Sequence, residues 1–253
     1  PKDAVFPEIG ELKGDFGKEV LAEYNSRTEK DYGNVDALRV LNYSNGVVKG
    51  SNPFAVVLMN KIVRANGLRT ATPADLERAL NDEIDLSGVY SDIALVLRNE
   101  KGCNEYFARS LAKQLKARGK VKYPVMIPLN GLDLVKDANS LNSLDFKLGD
   151  DTQIIYAEIL NTDGGSFKSE DVDLKTGLLT KLGDGNRTLY TRKDGLTRVC
   201  LNRSLGLGSS YGDWARARMA GCVWRAPKVR SPLKNLRLIL KILIELKQKK
   251  LQK

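Results

Sequence analysis

Hydrophobic and polar positions alternate with period two between residues 201 and 209. Leu201, Arg203, Leu205, Leu207 and Ser209 form one set, and Asn202, Ser204, Gly206, Gly208 and Ser210 the other. An extended chain turns successive side chains to opposite faces, so the pattern predicts a strand with its bulky or anchoring set inward and its small polar set toward solvent. Leu201, Leu205 and Leu207 are therefore expected to be buried, while Arg203 either pins the following loop through a buried ion pair or stands exposed. The next residues, Ser210-Tyr211-Gly212-Asp213-Trp214, belong to the palette that binding loops favour. Aromatic rings there give contact area at low entropic cost and small residues adapt. Two readings follow: a recognition face, or a half-buried strand with an ordinary turn.

Earlier in the chain, residues 1–50 are rich in Gly, Asp, Asn and Lys with short apolar clusters, which predicts an N-terminal arm with a strand near 36–43. The continuous run Phe54-Ala55-Val56-Val57-Leu58-Met59 suits a buried strand or the start of a helix reaching about Arg64. Thr72-Pro73-Ala74-Asp75 supplies a cap, a proline at the first helical position and an acid three residues after the cap, predicting a helix through Leu76, Ala79 and Leu80. A second helix is expected from Asn104 through Phe107, Ala108, Leu111 and Leu115 to Gly119, with Arg109, Lys113 and Lys116 on a solvated face. Residues 121–129 contain Pro124 and Pro128 and read as an edge or irregular strand. Residues 144–148 and 154–160 are strand-like, and 161–187 read as a long surface excursion. Within it Asn161 and Asp163 begin like a calcium loop, but Gly165 and Val172 stand where ligands are needed. Gly183-Asp184-Gly185-Asn186 reads as a turn, since no strand-to-helix transition surrounds it. The fold class expected is α+β, with two helices on a twisted, mainly antiparallel sheet and long irregular loops.

Composition narrows the chemistry. With 253 residues, 42% of them hydrophobic, a sizeable core can form. The chain has no histidine, which removes Ser/His/Asp triads, Cys/His pairs and histidine-containing zinc sites. Cys103, Cys200 and Cys222 are odd in number and lack CxxC spacing, so neither a disulfide framework nor a thiolate metal cluster is indicated. Cys200 reads as a small core residue. No catalytic residue, metal or cofactor is expected. The formal charge of +10 is concentrated after Trp224, where ten basic residues face one acid, Glu245, leaving 31 basic and 30 acidic residues in the first 224. So nearly neutral a body offers no broad field for nucleic acid.

The basic segment itself predicts a helix over 232–250, with Leu236, Ile239, Leu240, Leu243 and Leu246 at helical spacing and Leu238, Ile242 and Ile244 widening the stripe. A face that wide needs cover. Packing within the protein or an oligomer ranks first, an anionic membrane surface second and nucleic acid last. No apolar stretch reaches the roughly 18–20 residues of a membrane span, and the first fifteen residues lack the apolar centre of a signal peptide, so a cytoplasmic or membrane-surface location is expected.

Two stretches carry a resemblance. ANGLRTATPADLERAL, residues 65–80, is similar to the opening of formylglycine-generating-enzyme-like members of the C-type lectin fold. GLTRVCLNRSLGLGSSYGDWARARMAGCVW, residues 195–224, resembles the variable region of target proteins of diversity-generating retroelements, in particular archaeal ones. There, fixed Leu, Arg and Ser residues alternate with positions that differ between copies. The resemblance spans about 50–224 and is strongest over 68–80, 121–132 and 183–209. It implies a ligand-binding protein whose hypervariable face is rewritten by adenine-specific mutagenic reverse transcription. Asn codons of the AAC type randomised at their adenines yield Asn, Asp, Ser, Gly, Tyr and Arg among others, but not Trp or Met. The variable, ligand-binding positions so implied are Asn202, Ser204, Gly206, Gly208, Ser210, Tyr211, Gly212, Asp213, Arg216 and Arg218, with Trp214 and Met219 left out.

The chain also departs from the family pattern. Gly221-Cys222-Val223-Trp224 stands where relatives continue Gly-Arg-Val-Val, and Cys200 and Cys222 do not make the reactive pair of the formylglycine enzymes. Catalysis is not carried over.

The expected organisation is an arm over 1–49, a C-type-lectin-like ligand-binding domain over 50–228 with its variable region at about 195–224, and a basic amphipathic helix over 229–253. The leading expectation is binding of a macromolecular ligand, a protein in preference to other classes. The alternatives are an enzyme of unassigned class working through Asp171 or Asp173 with Tyr190, and nucleic-acid or membrane-surface binding through the basic tail.

Overall fold

The structure, a computed structural model, describes residues 8–119, 121–202, 204–209 and 225–228. β1 (Glu8–Glu11) leads into α1 (Gly14–Tyr32); β2 (Asn42–Ser44) and β3 (Val47–Lys49) form a hairpin before α2 (Pro53–Arg64) and α3 (Pro73–Asn81). Then come β4 (Ser91–Leu97), α4 (Glu105–Arg118), β5 (Val125–Pro128) and the hairpin of β6 (Leu132–Lys136) with β7 (Leu144–Leu148). The remaining strands are short: β8 (Ile155–Tyr156), β9 (Gly165–Phe167), β10 (Val172–Asp173), β11 (Leu178–Leu179), β12 (Arg187–Tyr190), β13 (Leu196–Leu201), β14 (Leu207–Gly208) and β15 (Arg225–Lys228).

A seven-stranded sheet in the order β8-β5-β4-β13-β14-β12-β9 organises this α+β fold. Its pairings are antiparallel except β12 with β14. At its centre every residue of β4 is buried, as a strand covered on both faces requires. Alternation along the strands sorts side chains into two cores. Leu95, Leu97, Val125, Ile127 and Leu196 pack with α1, α2, α4 and the β6–β7 hairpin, whereas Ala94, Val96, Met126, Val199 and Leu201 pack with α3 and with Phe167, Leu179 and Leu189. An aromatic trio closes the first core. Phe54 of α2 stacks on Phe146 of β7 at 4.8 Å, and Phe107 of α4 meets both edge-on.

Four α-helices form among the described residues where two were expected. The segment read as an arm contains α1, whose buried positions Gly17, Val20, Tyr24, Thr28 and Tyr32 recur every three or four residues. Only one of these is aliphatic, so the stripe is too thin to be conspicuous as sequence. Its tyrosines tie it down, with Tyr24 Oη donating to the Leu38 carbonyl at 2.7 Å and Tyr32 Oη to that of Leu134 at 3.2 Å. The strand expected near 36–43 is a 3-10 turn, Asp36–Leu38, followed by β2.

The apolar run 54–59 resolves as a helix because Asn52 caps it, its Oδ1 accepting the Ala55 N–H at 2.8 Å, with Pro53 in the first turn. β5 is an interior strand rather than an edge, with Pro124 just outside it and Pro128 at its last position. Of residues 154–160 only Ile155–Tyr156 pairs as strand before a 3-10 turn, Glu158–Asn161. The excursion 161–187 buries Phe167, Val172, Leu178 and Leu179, so much of it is core. No helix of the described residues is long and apolar enough to cross a membrane. The helix expected over 232–250 lies outside them.

α3 and α4 begin where the sequence places them. Leu76, Phe107, Leu111 and Leu115 are buried as expected and Leu80 is partly buried. The start of α4 is not a side-chain cap: Asn104 adopts φ +51° and its Nδ2 donates to the Leu196 carbonyl at 2.9 Å, fastening the helix to β13. α3 has a reciprocal cap, in which Thr72 Oγ1 accepts the Asp75 N–H and Asp75 accepts the Thr72 N–H at 2.8 Å. Asp75 also receives Arg78 at 2.8 Å and a two-pronged bond from Arg69. Burial pushes its carboxyl up, but the bonds and charge of Arg69 and the bonds from Thr72 outweigh that and hold it at about 2, below the ordinary 3.8. With the folded value below the unfolded one, the group stabilises the fold above about pH 4, and that contribution is lost as pH falls through about 2. Its size is about 2 kcal/mol. Urea unfolding of Asp75→Asn is expected to show a loss of about that size at pH 7 and a flatter decline of stability between pH 4 and pH 2 than the parent shows.

Candidate functional site

The segment 201–209 is a tight hairpin rather than one continuous strand. β13 ends at Leu201, the chain turns over 202–206, and β14 returns antiparallel to it with Leu201 opposite Leu207 and Cys200 opposite Gly208. Asn202 makes the turn. Its Oδ1 accepts the Ser204 N–H at 3.1 Å, the Ser204 hydroxyl at 2.9 Å and the Gly206 N–H at 2.8 Å, while its own N–H donates to the Gly206 carbonyl. Such Asx geometry competes with strand extension, which is why period two fails here. Leu205 takes φ +63°, a left-handed conformation that is uncommon for a residue with a side chain.

Two buried arginines hold the hairpin from beneath. Arg187 of β12 donates Nε to the Leu205 carbonyl at 2.8 Å and both terminal nitrogens to Glu77 of α3, each at 2.7 Å, with both side chains 3% exposed. Its guanidinium lies 4.7 Å from the centre of the Phe167 ring. This anchor secures the strained turn to α3, since a bidentate pair fixes orientation as well as distance.

The second anchor is Arg98, immediately after β4. Its Nη2 donates to the Ser209 hydroxyl at 2.9 Å and carbonyl at 3.3 Å and to Thr191 Oγ1 at 2.7 Å; Nη1 donates to Thr197 Oγ1 and Nε to the Leu160 carbonyl, both at 2.8 Å. Among the described residues these acceptors are all neutral oxygens. Burial lowers the Arg98 pKa to about 10, so the group is still a cation at neutral pH. Ser209 is also held by Thr197 Oγ1, which donates to its carbonyl at 2.9 Å, and its N–H donates to the Tyr190 carbonyl.

The candidate contact residues divide accordingly. Ser204 is exposed and Asn202 half-buried, whereas Gly206 and Gly208 are buried and do not face solvent as the alternation predicts. A Cβ on Gly206 would stand 2.7 Å from the Thr188 carbonyl oxygen, so that position has no room for a side chain without a shift. Leu201 and Leu207 are buried as expected, and Leu205, half-buried, packs on the edge of the second core. Ser210, Tyr211, Gly212, Asp213, Arg216, Arg218 and the expected anchor Arg203 lie outside the described residues.

Sequence reasoning missed Arg98, Arg187 and the outward role of Tyr190. Tyr190 is 51% exposed and stands beside Gly208 in the sheet register, next to the β13–β14 hairpin. An arginine adjoining a strand end, at 98, or opening one, at 187, carries no local sign that its partners lie across the fold.

Other candidates have structural duties. Asp171 is buried with Lys181 at 3.2 Å, and Asp173 accepts the Lys175 N–H and the Thr176 hydroxyl, bonds that hold its carboxyl below the usual range. No hydrogen bond or ion pair joins either to Tyr190 among the described residues. Asp163 pairs with Lys193 at 2.6 Å. On α4 the basic stripe is matched by acids, Arg109 by Glu105 and Lys116 by Glu100. A cleft of about 520 Å³ lined by Asn99, Glu100, Lys101, Arg109 and Tyr123 opens beside it. Cys200 is fully buried, and burial pushes its thiol up to about 12, as fits a core residue.

Truncating one member of the Arg187–Glu77 pair strands a buried charge, so Arg187→Met and Glu77→Gln are each expected to cost about 3–5 kcal/mol in urea unfolding. Arg187→Met combined with Glu77→Leu is expected to recover most of that loss; additive losses in the double variant would show that the pair is not the anchor. Comparison of the chain with family models, curated proteins and solved structures finds no match.

Proposed function

We propose that this chain is a ligand-binding protein of C-type-lectin-like fold whose outer surface at the β13–β14 hairpin and the residues after it is diversified by a retroelement, and that its ligand is a protein. The observation that carries this reading is where the anchors grip. Arg187 holds the carbonyl of Leu205, and Arg98 holds the carbonyl and hydroxyl of Ser209. Carbonyl bonds do not depend on which side chains project outward. A hairpin fixed this way keeps its path while exposed positions change, and exposed substitutions usually shift stability by less than about 0.5 kcal/mol. The mixed fold, with its curled and largely antiparallel sheet, is compatible with a lectin-like scaffold. Tyr190 beside the hairpin, and Tyr211 and Trp214 in the following sequence, supply the aromatic anchors that protein interfaces favour.

Two measurements test the reading. Sequencing the locus is expected to find a reverse-transcriptase gene and a near-copy of the segment coding for 195–224, with differences confined to adenines. A locus holding neither would overturn the proposal. Scanning the hairpin is expected to separate its two exposed positions. Substitutions of Ser204 should leave stability within about 0.5 kcal/mol, whereas Asn202→Ala should cost about 1–3 kcal/mol because two N–H groups and a hydroxyl lose their acceptor. Equal tolerance at both would show that the turn is not held as described.

A further inference from the structure

The chain is tied down on both sides of residues 210–224. Upstream, Ser209 is in the grip of Arg98. Downstream, β15 is the first described element, and its ladder is formed with β1, from the other end of the sequence. The register sets Glu8 opposite Lys228 and Glu11 opposite Arg225, with Ile9 opposite Pro227 and Gly10 opposite Ala226 between them. An acid therefore stands across from a base at each end of the ladder. Both acids and both bases are three residues apart, so the two matches are made together in this register, and a slip of one residue loses both. Pro227 has no N–H to give and suits a strand paired on one side. β1 is in turn fixed to the body: the next residue, Leu12, is buried, its carbonyl accepts the Val48 N–H at 2.9 Å, and Lys13 bridges to Val47.

We propose that β1 is a positioning element for the recognition surface: it captures β15 through charge-matched register and so anchors the downstream end of residues 210–224. The meaning of this tether rests on the recognition reading, but the pairing does not.

Amide hydrogen exchange on the full chain tests the pairing without any ligand. Glu8→Lys with Glu11→Arg sets like charges opposite each other and is expected to speed exchange at Ala226 and Lys228 by about tenfold. Amides of β4 should keep their protection in that variant, showing an intact fold. Adding Arg225→Glu and Lys228→Glu is expected to return exchange to within about twofold of the parent. Unchanged exchange in the first variant, or no recovery in the second, would overturn the proposal. As a measurement independent of charge, Gly10→Cys with Ala226→Cys is expected to form an intramolecular disulfide on mild oxidation, seen by peptide mapping; directly opposed positions are close enough to bridge. Failure to crosslink would overturn the register. A clasp that holds at a locus without a retroelement would leave this inference standing and remove the recognition reading, and the converse result would do the reverse.

Discussion

The Arg187–Glu77 pair is the interaction on which the rest of the candidate site depends. Two charges out of contact with water are joined by two parallel bonds of 2.7 Å, and leaving either alone would cost several kcal/mol. The pair therefore fixes α3 against β12. From that fixed point the same guanidinium reaches the Leu205 carbonyl and covers Phe167, so one side chain joins the helix, the sheet edge and the strained turn. α3 is itself set by the Thr72–Asp75 cap, whose first requirement is local. A short motif thus fixes a helix, and the helix fixes a turn far away in sequence.

Arg98 works differently. Its acceptors are carbonyl and hydroxyl oxygens, and what it gains is the satisfaction of five buried or part-buried oxygens rather than a partner charge. The cost of burying it is visible in its lowered pKa. The benefit is a stiff exit from β14. Together the two arginines separate the work of holding the main chain from the identity of the outward side chains. Asn202 is the exception among the exposed or half-buried positions, because its own oxygen closes the turn.

Beneath the hairpin, the seven-stranded sheet divides the molecule into two cores, and most of its central strands read as apolar runs. This hid their topology. β4 is equally buried on both sides, so nothing in its seven residues tells which neighbour lies where. The thin stripe of α1 hid that helix for the opposite reason, since its anchors are tyrosine hydroxyls bound to distant carbonyls rather than a band of aliphatic residues. The run at 54–59 suits strand or helix by its apolarity alone, and the Asn52 cap decides for helix.

Sequence by itself determined the mixed α+β class, the starts of α3 and α4, the strand at 144–148, the buried Leu201 and Leu207, and the core character of Cys200. Each is encoded within a few residues, by a cap, an apolar period or the chemistry of one side chain. Tertiary structure decided that 201–209 folds back on itself, that Gly206 and Gly208 are buried, that Tyr190 is exposed, and that Arg98 and Arg187 hold the hairpin. The partners of those arginines lie 110 residues away at Glu77 and 111 at Ser209. A guanidinium's need for oxygen acceptors can be read from the chain, but which oxygens meet it depends on how the sheet brings distant segments together.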